Sequence, residues 1–148
     1  MTSYPRISPC EKLTTSLDQT LGQMMPPGIA PLKLFRIFAK NPRILEKLQA
    51  SNLLDRGELS LREREIVITT TTALCGAEYE WGVHMAFFAE KAKFTDTEIR
   101  SLATGCANAE IWGKREYALI EACNQLHHTA TLDDAAFTAI STWWNEPA

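Results

Sequence analysis

The feature that most constrains the fold is a pair of helix-start signatures, Ser60-x-x-Glu63 and Thr95-x-x-Glu98. Each reads as a capping box, in which a hydroxyl satisfies one orphan backbone N–H and a glutamate carboxylate reaches back to another. Such a signal commits the chain to helix at a defined residue. After the first box comes a β-branched run, Ile66-Val-Ile-Thr-Thr-Thr-Thr72, which taken alone would suit a strand. Helix is nevertheless expected from Leu61 to about Cys75, because the cap is strong and no neighbouring stretch offers a strand to pair with.

Other punctuation agrees. Asn41 followed by Pro42 predicts a helix start, with an end near Leu54 and Asp55-Arg56-Gly57. Gly76 permits a break. Trp81, Met85, Phe88, Ala89 and Ala92 make an apolar stripe on a helix expected over Glu78 to Ala92. The second box opens a short helix ending near Gly105. A longer one is expected from Lys114 to His128. A last one begins at Thr131 with Asp133 and Asp134, and carries Phe137, Ile140, Trp143 and Trp144. Upstream, a short helix over Glu11 to Leu21 and a helical stretch over Pro31 to Lys40 flank the turn-forming Met24-Met25-Pro26-Pro27-Gly28. The expected architecture is an all-α, single-domain helical bundle over residues 31–148, preceded by an irregular segment over 1–30.

A chain of 148 residues has room for one sizeable core. Its formal charge of -3 with no basic block argues against a nucleic-acid partner. Apolar runs are broken too soon to span a bilayer, and the opening MTSYPRISPCEK lacks a secretory apolar stretch. A cytoplasmic protein without membrane association is expected. Cys10, Cys75, Cys106 and Cys123 are too widely spaced for a CxxC pair or a zinc knuckle, so reduced thiols are expected. There is no GxGxxG, P-loop, G-x-S-x-G or HExxH.

Chemistry is sparse and therefore easy to place. His84 lies beside the apolar stripe, and Glu80 precedes it by one helical turn, within contact range. A carboxylate beside an imidazole fixes its tautomer and suits a proton donor near neutral pH; an ordinary surface Glu–His pair has the same spacing. Glu65 on the preceding helix shares a face with Thr69 and Thr72, a polar stripe that fits a pocket lining or a solvated surface. Tyr79 and Trp81 flank Glu80 and could wall a pocket for a planar substrate or simply pack in the core. His127 and His128 suit a helix C-terminus. Three histidines, two of them adjacent, give no convincing metal site, although Glu65, Glu80 and His84 would form a carboxylate–histidine set if they converged.

The stretches Leu61-Arg-Glu-Arg-Glu-Ile-Val-Ile68, Cys75-Gly-Ala-Glu-Tyr-Glu-Trp-Gly-Val-His84 and Phe94-Thr-Asp-Thr-Glu-Ile99 resemble the carboxymuconolactone decarboxylase-like family. The nearest branch carries an E-Y-E-W-x-x-H signature, and the resemblance covers residues 31 to 128. It implies an alkylhydroperoxidase D-like helical fold, a homo-oligomer (trimer or hexamer) and sites near subunit contacts. The peroxide-reducing branch uses a glutamate, a CxxC pair and a histidine. Here the glutamate falls on Glu65 and the histidine on His84, but the cysteines fall on Ala77 and Glu80, which removes the thiol cycle. Members of the resembled branch usually continue into another apolar helix, whereas this sequence stops at Ala148; the expectation is that a neighbouring subunit fills that place or that the architecture is trimmed.

The resemblance thus implies a cofactor-independent decarboxylase, or an enolate-handling isomerase or cyclase, working on a small keto- or polyketide-type carboxylic acid, with a place in secondary metabolism expected. His84, Glu80 and Glu65 would be catalytic, with Tyr79, Trp81, Thr69 and Thr72 binding substrate, and no metal or organic cofactor taking part. The alternatives are a thiol-dependent oxidoreductase acting through Cys75 and a non-catalytic helical binding or assembly module.

Overall fold

A computed structural model describes residues 7–51, 57–105 and 108–145. Among these residues there are eight helices and no strand: α1 (Thr15–Gln23), α2 (Lys33–Phe38), α3 (Pro42–Ser51), α4 (Leu61–Leu74), α5 (Glu78–Phe88), α6 (Asp96–Thr104), α7 (Lys114–Thr129) and α8 (Asp134–Ser141). The protein is all-α, and the β-branched run of Ile66–Thr72 is helical as the cap predicted. No helix of the described residues is long and apolar enough to cross a membrane. The chain forms two compact units, Met1–Asp55 and Arg56–Ala148.

In the first unit, Leu21, Ala39 and Leu45 make a small core, with Leu17, Phe35 and Phe38 packed against it. Helix α1 begins four residues later than Glu11 because Thr14 is its cap, its hydroxyl accepting from the Leu17 N–H at 3.3 Å. Residues 52–54 and the expected stop at Asp55-Arg56 lie outside the described residues.

The second unit is organised around α4, which packs on α5, α6 and α7, while α8 packs on α7. Its core holds Ile66, Leu102, Trp112, Leu119, Ile120 and Trp144. Both capping boxes form, and each glutamate then does a second job. The Glu63 carboxylate accepts from the Ser60 N–H at 2.8 Å and from Arg115 Nε at 2.6 Å. Glu98 accepts from the Thr95 N–H at 2.7 Å and from Arg62. Arg62 also binds Glu116 and the carbonyls of Ala92 and Lys93, and its guanidinium lies over Phe94 and Trp112. One arginine therefore ties α4 to α6, α7 and the end of the α5 turn.

Two helix ends differ from expectation. Regular α5 stops at Phe88, short of Ala92. Beyond it Lys93 adopts a left-handed conformation with φ 57°. The Lys93 N–H then reaches the Glu90 carbonyl, and the Phe94 N–H reaches that of Ala89, both at 3.0 Å, in the manner of a Schellman closure. Helix α8 stops at Ser141, so Trp143 and Trp144 lie beyond it and not on it. Both of their N–H groups turn back to the Ile140 carbonyl, which puts Trp144 in the core and leaves Trp143 exposed. Gly105 closes α6 at φ 66°, where a Cβ would stand 2.9 Å from Leu74 Cδ2; both backbone and space favour glycine there.

Candidate functional site

The turn between α4 and α5 is short because Gly76 takes φ 63° and the Ala77 N–H returns to the Thr72 carbonyl at 2.8 Å. The two helices are thereby laid against each other, and Glu65 meets His84 although 19 residues separate them.

Glu65 is fully buried and His84 is 6% exposed. Glu65 Oε2 stands 2.7 Å from His84 Nδ1. An ionised carboxylate only accepts, so Nδ1 carries the hydrogen and donates it. The other oxygen, Oε1, accepts from Arg64 Nη2 at 2.9 Å and from Arg64 Nε at 3.1 Å. The carboxylate is thus held between an arginine and a histidine, as a buried charge must be. His84 Nε2 faces Glu80, whose Oε1 is 3.8 Å away. That separation admits charge attraction but no direct hydrogen bond. The sequence-adjacent pairing of Glu80 with His84 is therefore the looser of the two, and Glu65 holds the ring. Glu80 is about one-third exposed and lies on the Nε2 side of the histidine.

The remaining predicted site residues divide. Thr69 is fully buried, but its hydroxyl donates to the Glu65 carbonyl at 2.6 Å. Thr72 donates to the Ile68 carbonyl at 2.8 Å. Both hydroxyl hydrogens are spent on their own helix. Tyr79 is 47% exposed. Trp81 is half-buried, and its indole N–H is buried without a partner among the described residues. The buried Thr70 hydroxyl, not singled out by the sequence, is also without one.

The face beyond His84 went unread in the sequence. The Phe88 ring centroid lies 5.5 Å from that of His84. Arg64 and Lys91 stand over the Phe88 ring at 5.5 Å and 5.4 Å. His84, Phe88 and Lys91 follow a spacing of i, i+4 and i+7, a helical signal that read only as an apolar stripe because Phe88 dominated it.

Elsewhere, an open groove of about 570 Å³ runs between α7 and α8, with Tyr117, Ala136 and Trp143 in its walls. A second, of about 460 Å³, is lined by Arg115 and Trp144 among others. Neither is lined by Glu65, Glu80 or His84. Cys10, Cys75 and Cys123 are free thiols, and Cys106 lies outside the described residues. Burial pushes the Cys123 thiol up, only partly offset by a hydrogen bond with Thr71. Exposed Cys75 has His127 Nδ1 at 3.8 Å as its neighbour. Among the described residues no group of three or more His, Cys, Asp or Glu is placed to hold a metal ion.

Residues 40–122, more than half of the chain and the whole of α4, α5 and α6, match the carboxymuconolactone decarboxylase family. The chain belongs to this family. Neither curated proteins nor solved structures provide a match. The buried Glu65–His84 pair of this family member lies wholly inside the matched region.

Proposed function

We propose that the protein is a cofactor-independent decarboxylase, or an isomerase or cyclase working through the same kind of enolate, with His84 as its general acid and base. The observation that carries this reading is the buried 2.7 Å hydrogen bond from His84 Nδ1 to Glu65. It locks the ring's orientation and leaves Nε2 as the nitrogen free to exchange a proton on the Glu80 side.

In the decarboxylase form, the substrate is a small keto- or polyketide-type acid with a carbonyl placed to accept electrons. The bond to the carboxylate carbon breaks, carbon dioxide leaves, and the electron pair enters the carbonyl to give an enolate. His84 Nε2–H then protonates carbon, and solvent returns the proton. Glu65 supports the imidazolium before the transfer and keeps the tautomer that puts Nε2 to work, as a triad carboxylate does. Glu80, 3.8 Å from Nε2, is suited to exchanging that proton through water. Tyr79 and Trp81 would contact the substrate, while Thr69 and Thr72 would shape the site without donating to it.

A homo-oligomer, trimer or hexamer, belongs to the same reading. Leu126, Phe137 and Trp143 are exposed apolar residues on or just after α7 and α8, a surface consistent with a subunit contact. A cytoplasmic protein engaged in secondary metabolism fits as well.

The deciding experiment compares metabolites of cells carrying the intact gene, no gene, or the His84→Ala variant. The deletion should accumulate an acid heavier than the lost product by one carbon dioxide, or an isomer of it. His84→Ala should behave like the deletion. Full restoration by that variant would sink the assignment of the histidine.

A further inference from the structure

The open side of His84 is electrostatically two-ended. Glu80 stands one turn before it, and Lys91 comes two turns after it across the Phe88 ring. Arg64, already bonded to Glu65, adds a second cation against the same ring. Lys91 is exposed and makes no ion pair among the described residues. An aromatic face attracts an ammonium group but does not neutralise it, so the positive field at this end stays available to an anion.

We propose that Lys91, with Arg64 over the same ring, forms at Phe88 an anion subsite that holds the negatively charged oxygens remaining on the substrate. This rests on the acid–base reading of His84 and adds the substrate's orientation to it. Negative charge is repelled from Glu80 and drawn to Lys91, so the oxygen that gains charge as carbon dioxide leaves, or a second carboxylate that stays, lies over Phe88, and the carbon to be protonated lies near Nε2. The charge held there is the one that stays. A cation on the departing carboxylate would stabilise the ground state and slow its loss, whereas a cation beside the enolate oxygen favours the transition state. A half-buried aromatic ring suits a planar, conjugated or aromatic acid.

The test is NMR titration with benzoate, a planar acid that the proposed chemistry leaves unchanged, following the Phe88 ring and the His84 Cε1–H. Wild type should give saturable shifts at both. Lys91→Met should bind benzoate about fivefold more weakly, the usual worth of one partly exposed charge contact. Lys91→Arg should restore the affinity, and neutral benzamide should leave both resonances unmoved. Absence of saturable shifts, unchanged affinity in Lys91→Met, or equal shifts with benzamide would overturn the subsite. Benzoate binding is read without turnover, so a failed search for decarboxylation leaves this result standing, and a missing subsite leaves the His84 assignment untouched.

Discussion

Arg62–Glu63 and Arg64–Glu65 are successive pairs in the first turns of α4, identical in composition and different in their partners. Glu63 is fixed by groups that do not titrate near neutral pH: its carboxylate accepts from the Ser60 N–H and the Arg115 guanidinium, and its own N–H donates to the Ser60 hydroxyl. Arg62 likewise reaches two carboxylates and two carbonyls. Burial alone would raise the Glu63 carboxyl, but the hydrogen bonds from Ser60 and Arg115 outweigh it and hold the group below its ordinary value. Glu98 is held down in the same way, burial being outweighed by the bonds from Thr95 and Arg62. For Arg62, burial opposes the charge, but bonding to Glu116 and Glu98 wins and keeps the guanidinium charged. Glu65 is buried more deeply than any of them, yet its partner across the helix pair is a histidine. A carboxylate among permanent cations and N–H groups holds a fold together. In the proposed mechanism, a carboxylate against a titratable ring positions a proton.

The largest effect should come from exchanging the roles. Glu65→Gln keeps size and one acceptor but removes the charge that supports an imidazolium and leaves the amide free to bind the ring in either orientation. Turnover of the substrate named by the metabolite comparison should fall by about 100-fold or more. Glu63→Gln, two residues away, should retain near-wild-type turnover. If the two variants lose activity equally, the division of labour along α4 is wrong.

Next in size is the stability of the network. Arg62→Met keeps apolar contact with Phe94 and Trp112 but removes the bonds to Glu98, which keeps Thr95, to Glu116 and to the Ala92 and Lys93 carbonyls. The expected loss is about 1–3 kcal/mol, the worth of charge-assisted hydrogen bonds among part-buried groups. All four tryptophans, Trp81, Trp112, Trp143 and Trp144, lie in the second unit, so urea unfolding followed by their fluorescence reads that unit. A loss below about 0.5 kcal/mol would place Arg62 with ordinary surface ion pairs.

What the sequence disclosed follows the range of the interactions. The capping boxes were legible because both halves lie within four residues of each other, and they outweighed the β-branched preference of Ile66–Thr72. The spacing of Glu65, Thr69 and Thr72 revealed a polar face but not its surroundings, since one turn pattern serves a pocket lining and a solvated surface alike; burial of Glu65 and Thr69 is decided by α5, α6 and α7 packing on α4. Glu80 stood out beside His84 because i−4 neighbours can be read from spacing, whereas the nearer partner, Glu65, depends on the reversal at Gly76. Arg64 and Lys91 were invisible as a pair for the same reason. The end of α8 was misplaced because two adjacent tryptophans look like a continuing apolar face, although only Trp144 can enter the core.

The smallest effect is the most specific to the contrast. Glu63 and Glu98 have folded-state carboxyls held below the ordinary value of 4.5. Groups depressed in the folded state contribute stability that is fully present above about pH 4.5 and is lost as pH falls through their folded values. Wild-type stability should therefore decline on acidification below that point. Glu63→Gln, which still offers an acceptor to Ser60 but no charge to Arg115, should cost up to about 1 kcal/mol at neutral pH, the upper end for a part-exposed ion pair. Because a protonated Glu63 resembles glutamine, the difference between wild type and variant should shrink as pH falls, and tryptophan-detected urea midpoints at a series of pH values will show whether it does. A difference independent of pH would mean that Glu63 acts through its shape alone, and that the permanence of its charge is not what separates it from Glu65.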